Sequence, residues 1–550
     1  MKSLRLLAVL LAALPLSAQQ PPAPEEPASI FGETIDVRVV NVEVVVTDRQ
    51  GNRVTGLGPG DFRLRVDGKD MPIEYFTEVR GGQAIAAAPA DTAGSGQTAA
   101  VQGLPALAPG SAVGTSYVVF IDDYFSVAAR RNEVLRELMD DLGRLGPEDR
   151  MAVVAFDGKK IDMLSNWSGI ERELHRAFQE AMTRPAYGNQ RMAEITNFET
   201  SRRLGVNSVD PRAAFSNRLD LDELGHIELV ASQIERSVLA TVGTLRGFAA
   251  PSGRKVMILL SGGWPYSPGD YVLNNPNRPI LNRDVPRGEE LYRPIVDTAN
   301  LLGYTLYTVD VPGVDPFGPS AADAGPNDAR LNVREQEVHS TLEYVARETG
   351  GKALINGGRA EALATAEADT RSYYWLGFTP QRERNDKRHD IQVEVTRPGL
   401  QVRSRDNYFD LSRKSEVSMI VESALLFGNP PGAATMPMQV GKPVASGRKE
   451  IEVPVSLAIP VSSITLVPYE GKYVAELELR ISVLDAKGNR ADVPVIPIRM
   501  STEKEPPKEG YVRYDTRLKL RKIGQHLLLA IFDPVSGKIT TAEADVVPPR

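Results

Sequence analysis

The 550-residue chain contains no cysteine. That excludes disulfides and a cysteine-linked lipid anchor, so stability outside the cytoplasm has to come from core packing alone. Histidine is scarce too. His175, His226, His339, His389 and His526 are the full set, scattered and without a His-Glu-x-x-His or nucleophile-elbow pattern, which makes a hydrolase a distant reading. The first three fall on predicted helices and read as helix-face residues. There is no excess of positive charge. The net charge of −7 is spread along the chain and offers no basic face for nucleic acid. After the N-terminus no apolar run approaches the ~20 residues of a membrane span. The segment Ser261-Gly262-Gly263-Trp264 lacks the glycine spacing and lysine of a phosphate cradle and reads as a turn leaving a strand.

Much else is present. Lys2 and Arg5, the apolar run Leu6 to Leu16, and Leu16-Ser17-Ala18 have the form of a signal peptide over 1–18, implying a secreted or periplasmic protein. Residues 19–34 are Pro-rich and read as a disordered linker. From 35 to 80, alternating runs such as VRVVNVEVVVTD, Val54 to Leu57 and FRLRVDG predict short strands, the first part of a β-sandwich that cannot close a core alone. An Ala/Gly/Pro linker covers 81–114. The second part of the sandwich spans 371–410, a helix and linker 411–435, and a C-terminal β-sandwich 436–550.

Residues 115–370 form the central unit. Tyr117 to Ile121 is a nearly all-apolar run followed by Asp122-Asp123 and then an amphipathic pattern with Val134, Leu135, Leu138 and Leu142 on one face. Such a run, followed by a helix, reads as a parallel strand buried on both faces. Met151 to Phe156, Lys255 to Leu260, Thr305 to Val309 and Lys352 to Ile355 repeat the signature between helical patterns. The predicted fold class is α/β plus β: a mostly parallel sheet with helices on both faces, flanked by β-sandwich modules. Ligands in such sheets sit beyond the carboxyl ends of the strands, where Asp122 and Asp123 fall.

Three stretches carry a resemblance: VRVVNVEVVVTDRQGNRVTGLGPGDFRLRVDGKDMPIEYF, then SGRKVMILLSGG, then YYWLGFTP with HDIQVEVTRPGLQVRSRDNYF. Together with the acidic end of the Tyr117–Ile121 strand, they resemble the von Willebrand factor type A-related family of secreted bacterial proteins of the acidobacterial type. The resemblance covers about residues 35–410. It implies a Rossmann-like type A domain flanked by immunoglobulin-like modules, and a metal-ion-dependent adhesion site built on Asp-x-Ser-x-Ser, a Thr and a further Asp. Magnesium needs small oxygen ligands in an octahedral array. Here Asp122 and Ser126 match, but Tyr124 replaces a serine, Gly262 stands where an Asp is implied, and no Thr precedes the Leu229 helix. Asp123 or Asp222 would have to substitute. The expectation is a degenerate site without cofactor, with Asp122 capping the following helix.

Two long segments, Trp264 to Asp284 and Val311 to Asn332, follow strands, and a third, Arg184 to Gly225, occupies the stretch where the resemblance implies a Thr. They predict loops gathered above Asp122, with Trp264, Tyr266 and Tyr271 as aromatic anchors for a protein or peptide partner outside the cytoplasm. The functional expectation is a non-enzymatic binding protein, adhesion-like or scaffolding. The rival is a structural or assembly component of a cell-envelope complex contacting its neighbours through the β modules, with a hydrolase a distant third.

Overall fold

The computed structural model describes residues 39–85, 110–206, 221–248, 253–273, 286–312, 329–380, 385–410, 434–469, 471–485, 490–492, 495–504, 509–536 and 538–549, with 412, 417, 418 and 421. The signal-peptide segment 1–18, the linker 19–34, most of the 81–114 linker and most of the helix expected within 411–435 lie outside the described residues. Among the described residues no helix is long and apolar enough to cross a membrane.

The central sheet has six strands. In chain order these are Thr115–Asp122, Arg150–Phe156, Ile161–Ser168, Arg254–Ser261, Tyr304–Asp310 and Lys352–Leu354. Numbered one to six, they lie side by side as 3-2-1-4-5-6. All neighbours are parallel except Ile161–Ser168, which folds back antiparallel on Arg150–Phe156. Alternation explains the continuous apolar strands. Val118 and Phe120, with Val154, Met257 and Leu259, face the layer made by helices Leu221–Gly247 and Gly288–Leu302. Tyr117, Val119 and Ile121, with Val153, Ile258 and Val309, face helices Ala128–Asp140, Glu171–Thr183 and Ala362–Arg371. Neither face of the inner strands meets water, so polar residues there need a partner, as the buried Thr308 hydroxyl finds in the Leu342 carbonyl at 2.9 Å.

The segments on either side of this domain share sheets. Val40–Thr47 pairs with Ser372–Phe378, which pairs in turn with Tyr75–Arg80. Phe62–Val66 pairs with Lys387–Val395. The two antiparallel sheets enclose one core, in which Val42, Val44, Phe62, Leu64, Leu376 and Ile391 meet. Val54 to Leu57 is not a strand. The Tyr374 hydroxyl holds it, donating to the Val54 carbonyl at 3.0 Å and accepting from Leu57 N–H at 3.1 Å. A further β unit follows, with strands Glu450–Pro460 and Tyr511–Arg521 in one sheet and Lys472–Asp485, Gln525–Phe532 and Ile539–Val546 in another. Its core gathers Ile451, Val453, Leu479, Ile481, Leu527 and Leu529.

Polar groups fix the shared β unit against the α/β domain. The buried Arg254, at the start of its strand, pairs with Glu43 and lies over the Tyr373 ring, 4.5 Å from its centroid. Asp369 is fully buried, paired with Arg53 and Arg403, and accepts the Tyr307 hydroxyl at 2.6 Å. Arg254 and Thr305, both bonded to Glu43, lie at the starts of parallel strands. The strand ends carrying Asp122 and Ser261 are therefore left at the opposite edge of the sheet.

Candidate functional site at the carboxyl edge of the sheet

In this strand order, chain connections leave to opposite sides at Thr115–Asp122 and Arg254–Ser261, and the crevice that opens there is where such sheets bind ligands. Asp122 ends the first of these strands. It is fully buried. Its Oδ2 accepts the Trp264 indole N–H at 2.6 Å, and its Oδ1 accepts the Tyr124 and Phe125 backbone N–H groups at 3.1 and 3.4 Å. Burial pushes its pKa up to about 7, opposed first by the indole N–H and next by the turn N–H of Phe125. Asp122 does not cap the following helix. That helix starts at Ala128 with Val127 as its N-cap and no side-chain bond. The side chain closes the tight turn 122–125 instead, because its short carboxylate reaches N–H groups two and three positions on.

Trp264 is likewise not an exposed anchor. Its side chain is fully buried and stacks at 6.1 Å on Tyr292. The physical reason is the indole N–H, which needs an acceptor when buried and finds it in Asp122. Tyr266 is half-buried, edge-on to Tyr344 at 5.8 Å. Tyr271 is half-buried beneath the Arg334 guanidinium, 5.4 Å from the ring centroid. The three aromatics do not form a common exposed patch.

Asp123 is spoken for as well. It is fully buried, bonded to Arg131 at 2.5 Å and Arg184 at 2.9 Å. Burial raises its pKa, and the two guanidiniums oppose that rise. The Ser126 Oγ is buried and has no hydrogen-bond partner, while its carbonyl accepts Gly188 N–H at 2.9 Å. Asp222 is exposed in the first turn of Leu221–Gly247. The donor set does not fit a divalent cation: an indole N–H, itself a donor, sits against the one carboxylate oxygen that would reach it. Among the described residues no three His, Asp or Glu side chains converge as metal ligands.

Two glycines permit the close packing of this turn. A Cβ on Gly262 would fall 2.3 Å from the Phe125 carbonyl oxygen, and one on Gly188 would fall 2.6 Å from it. The 125–126 backbone thus lies between two backbone segments that carry no side chain at the contact.

Beside the turn lies a cavity of 270 Å³. Phe125 and Val127, and Gly262 and Gly263, contribute from the ends of the two central strands, and Pro312 from beyond the next. Its other walls come from helices. Arg191, Met192 and Ile195 lie on Gly188–Val206, His226, Val230 and Gln233 on Leu221–Gly247, and Arg130 on Ala128–Asp140. The helix Gly188–Val206 stands where the sequence predicted a polar loop. Met192, Ile195 and Phe198 recur at a spacing of three on its sequence, but with Arg, Asn, Gln and Thr between them the stripe is narrow. His226 is not a plain surface residue either. Its ring stacks on Phe198 at 4.3 Å, and burial lowers its pKa below the ordinary imidazole range. The expected loops 264–284 and 311–332 are described only at their beginnings and, for the second, at the start of helix Ala329–Glu348. The segment Pro268–Leu273 is a short helix.

Comparison with known proteins adds little. No protein-family description and no curated protein matches the chain. Among solved structures, the structural-genomics target SoR45 is 15% identical with a TM-score of 0.14, covering 21% of this chain and 89% of that one. A Bacteroides uniformis β-glucuronidase is 6% identical with a TM-score of 0.15, covering 32% of this chain and 19% of that one. Similarities this low carry no functional inference.

Proposed function

We propose that the α/β unit is a metal-independent relative of von Willebrand factor type A domains. In this reading it serves a secreted, non-enzymatic protein as its binding module, held between immunoglobulin-like β units. The observation that carries this reading is the indole N–H of Trp264 on Asp122, at the position where the resemblance implies a bound cation. The 3-2-1-4-5-6 strand order with one antiparallel edge supports it, as do the three sequence stretches flanking and crossing the domain. The partner is a protein or peptide outside the cytoplasm, met at the carboxyl edge of the sheet.

The test uses the full-length chain exported by a secretory host. After capture of an envelope or extracellular partner, hydrogen exchange maps which amides become protected. Protection over 122–130, 187–206 and 261–273, unchanged by EDTA, is the expected result. Magnesium at a hundredfold excess over a genuine site's Kd would add about 2.7 kcal/mol of stability, so an unchanged melting temperature is also expected. Protection confined to 434–549 would favour the rival envelope-scaffold role, and EDTA-sensitive binding would defeat the metal-free reading.

A further inference from the structure

The β unit nearest the C-terminus carries a long strand with one side unused. Tyr511–Arg521 has 11 residues and pairs with Glu450–Pro460 along its whole length in an unbroken register. The other side of Glu450–Pro460 is taken by the short strands Met438–Val440 and Val444–Ala445. Among the described residues no strand pairs with the far side of Tyr511–Arg521. The direction of its backbone groups follows from its two ends. The Gly510 carbonyl accepts Val461 N–H at 3.0 Å, and Lys522 N–H donates to the Lys449 carbonyl at 2.8 Å. Bonding alternates along an antiparallel pair, so the even-numbered residues between them turn toward Glu450–Pro460. The N–H and C=O groups of Tyr511, Arg513, Asp515, Arg517 and Lys519 therefore point outward.

Such an edge is a template for a further strand unless shortness, a bulge, proline or like charges blunt it. This one is long, runs in register and contains neither Pro nor Gly. Its charges do not repel a copy of itself, because the exposed Asp515 lies between the exposed Arg513 and Arg517. The opposite face of the strand is apolar. Leu518 and Leu520 are buried in the core of the unit, whereas Val512, Tyr514 and Thr516 are only half-buried. The apolar layer thus reaches the edge and ends there uncovered.

We infer that two copies of the chain join through this strand, antiparallel about a two-fold axis at Thr516, so that their sheets become one. This register sets Asp515 of each copy opposite Arg517 of the other. On the inner face it lays Val512 and Tyr514 against Leu520 and Leu518 of the second copy, which carries the core across the axis. Arg513 then meets Lys519 of the second copy, and Asp515, 3.0 Å from Arg513, offsets that like-charge pair. Neighbouring registers are worse. An axis at Asp515 or Arg517 sets like charges face to face, and one at Tyr514 leaves Leu518 and Leu520 outside the paired length. The interface is small, and a Kd on the order of 10 µM is expected. Two α/β units in one particle would bind a clustered partner with avidity. The dimer does not depend on the partner-binding reading, because it is assayed on the full-length chain alone.

Sedimentation equilibrium of the full-length chain measures the dimer, and the absence of cysteine makes its register testable. Across the axis the even-numbered residues form non-hydrogen-bonded pairs, whose Cα atoms lie ~4.5 Å apart, within the reach of a disulfide. Thr516→Cys should therefore oxidise to a covalent dimer about tenfold faster than Tyr514→Cys, or than Tyr469→Cys at an exposed position on another strand. Asp515→Arg and Arg517→Asp, both at exposed positions, should each weaken the dimer about tenfold, and the double variant should restore it. Three results overturn the inference: a chain that stays monomeric up to about 200 µM, equal oxidation rates for the three cysteine variants, or a double variant as weak as the single ones. A foreign strand that protects 511–521 on a monomeric chain would assign the edge to another protein and overturn it too.

Discussion

Replacing Trp264 by phenylalanine separates what the indole contributes by packing from what its N–H contributes to a buried charge. The packing loss is the same at every pH and, for a ring trimmed but not removed, amounts to about 1–2 kcal/mol. The N–H term depends on Asp122 being ionised. Burial lifts Asp122 to about 7 in the folded chain from an ordinary 3.8. A carboxyl raised in this way binds its proton more tightly folded than unfolded. Its contribution to stability is therefore fully present below about pH 4 and is lost as pH rises through about 7. A hydrogen bond to a charged group is worth about 1.5–3 kcal/mol, and its loss in Trp264→Phe is felt only where that charge exists. The destabilisation should thus be about 1.5 kcal/mol larger at about pH 8.5 than at about pH 5. Urea unfolding of protein labelled with 5-fluorotryptophan measures this domain by domain. Trp167 reports the α/β unit, where it meets Phe248 edge-on at 5.2 Å, and Trp375 reports the shared β core. Equal losses at both pH values would refute the reasoning, because they would mean that the N–H meets a neutral carboxyl.

Two further outcomes follow from packing. Gly262→Ala forces a Cβ against the Phe125 carbonyl oxygen at 2.3 Å, and a backbone has no cheap retreat. A loss of about 3 kcal/mol or more is expected, and an unchanged urea midpoint for the Trp167 signal would contradict the close approach. Asp369→Asn leaves the half-buried Arg53 and Arg403 against a neutral amide, at a cost of about 2–3 kcal/mol, below that of a fully buried pair. It should lower the Trp167 and Trp375 transitions together, since Asp369 joins the two units. A shift confined to one of them would show that the ion cluster does not couple them.

The parallel strands were legible because burial on both faces leaves few positions for a polar residue. Runs such as Tyr117 to Ile121 and Val256 to Leu260 therefore announce themselves. The helix Gly188–Val206 was not, because only a narrow stripe around Ile195 and Phe198 packs while the rest of its surface carries Arg, Asn and Thr. Trp264 opens a long segment after a strand, and an aromatic so placed reads as an anchor for a partner. What buries it is a carboxylate 142 positions earlier, and no local pattern encodes that pairing. The cavity was invisible for a similar reason. Arg130, Arg191 and His226 come from three separate helices, and each alone resembles an ordinary solvated side chain. His226 could have been suspected from Phe198 only with the two helices already placed side by side.

The pairing of Arg80 with Ser372 has a consequence in time. A ribosome, or an export channel threading from the N-terminus, delivers Val40–Thr47 and Phe62–Val66 long before their partners Ser372–Phe378 and Lys387–Val395 exist. Until then these strands present bare edges that invite pairing with other chains. The α/β unit, whose sheet is completed within its own span, can fold first. Doing so draws the two cut ends together and replaces a loop of about 290 residues by a short gap, a saving on the order of 3 kcal/mol in closure entropy. Maturation then runs from the middle outward. Any lesion that delays the central unit would strand the earliest-made segment as a sticky, unpaired ribbon, so damage near Asp122 would show first as poor yield and chaperone retention of an otherwise intact N-terminal half.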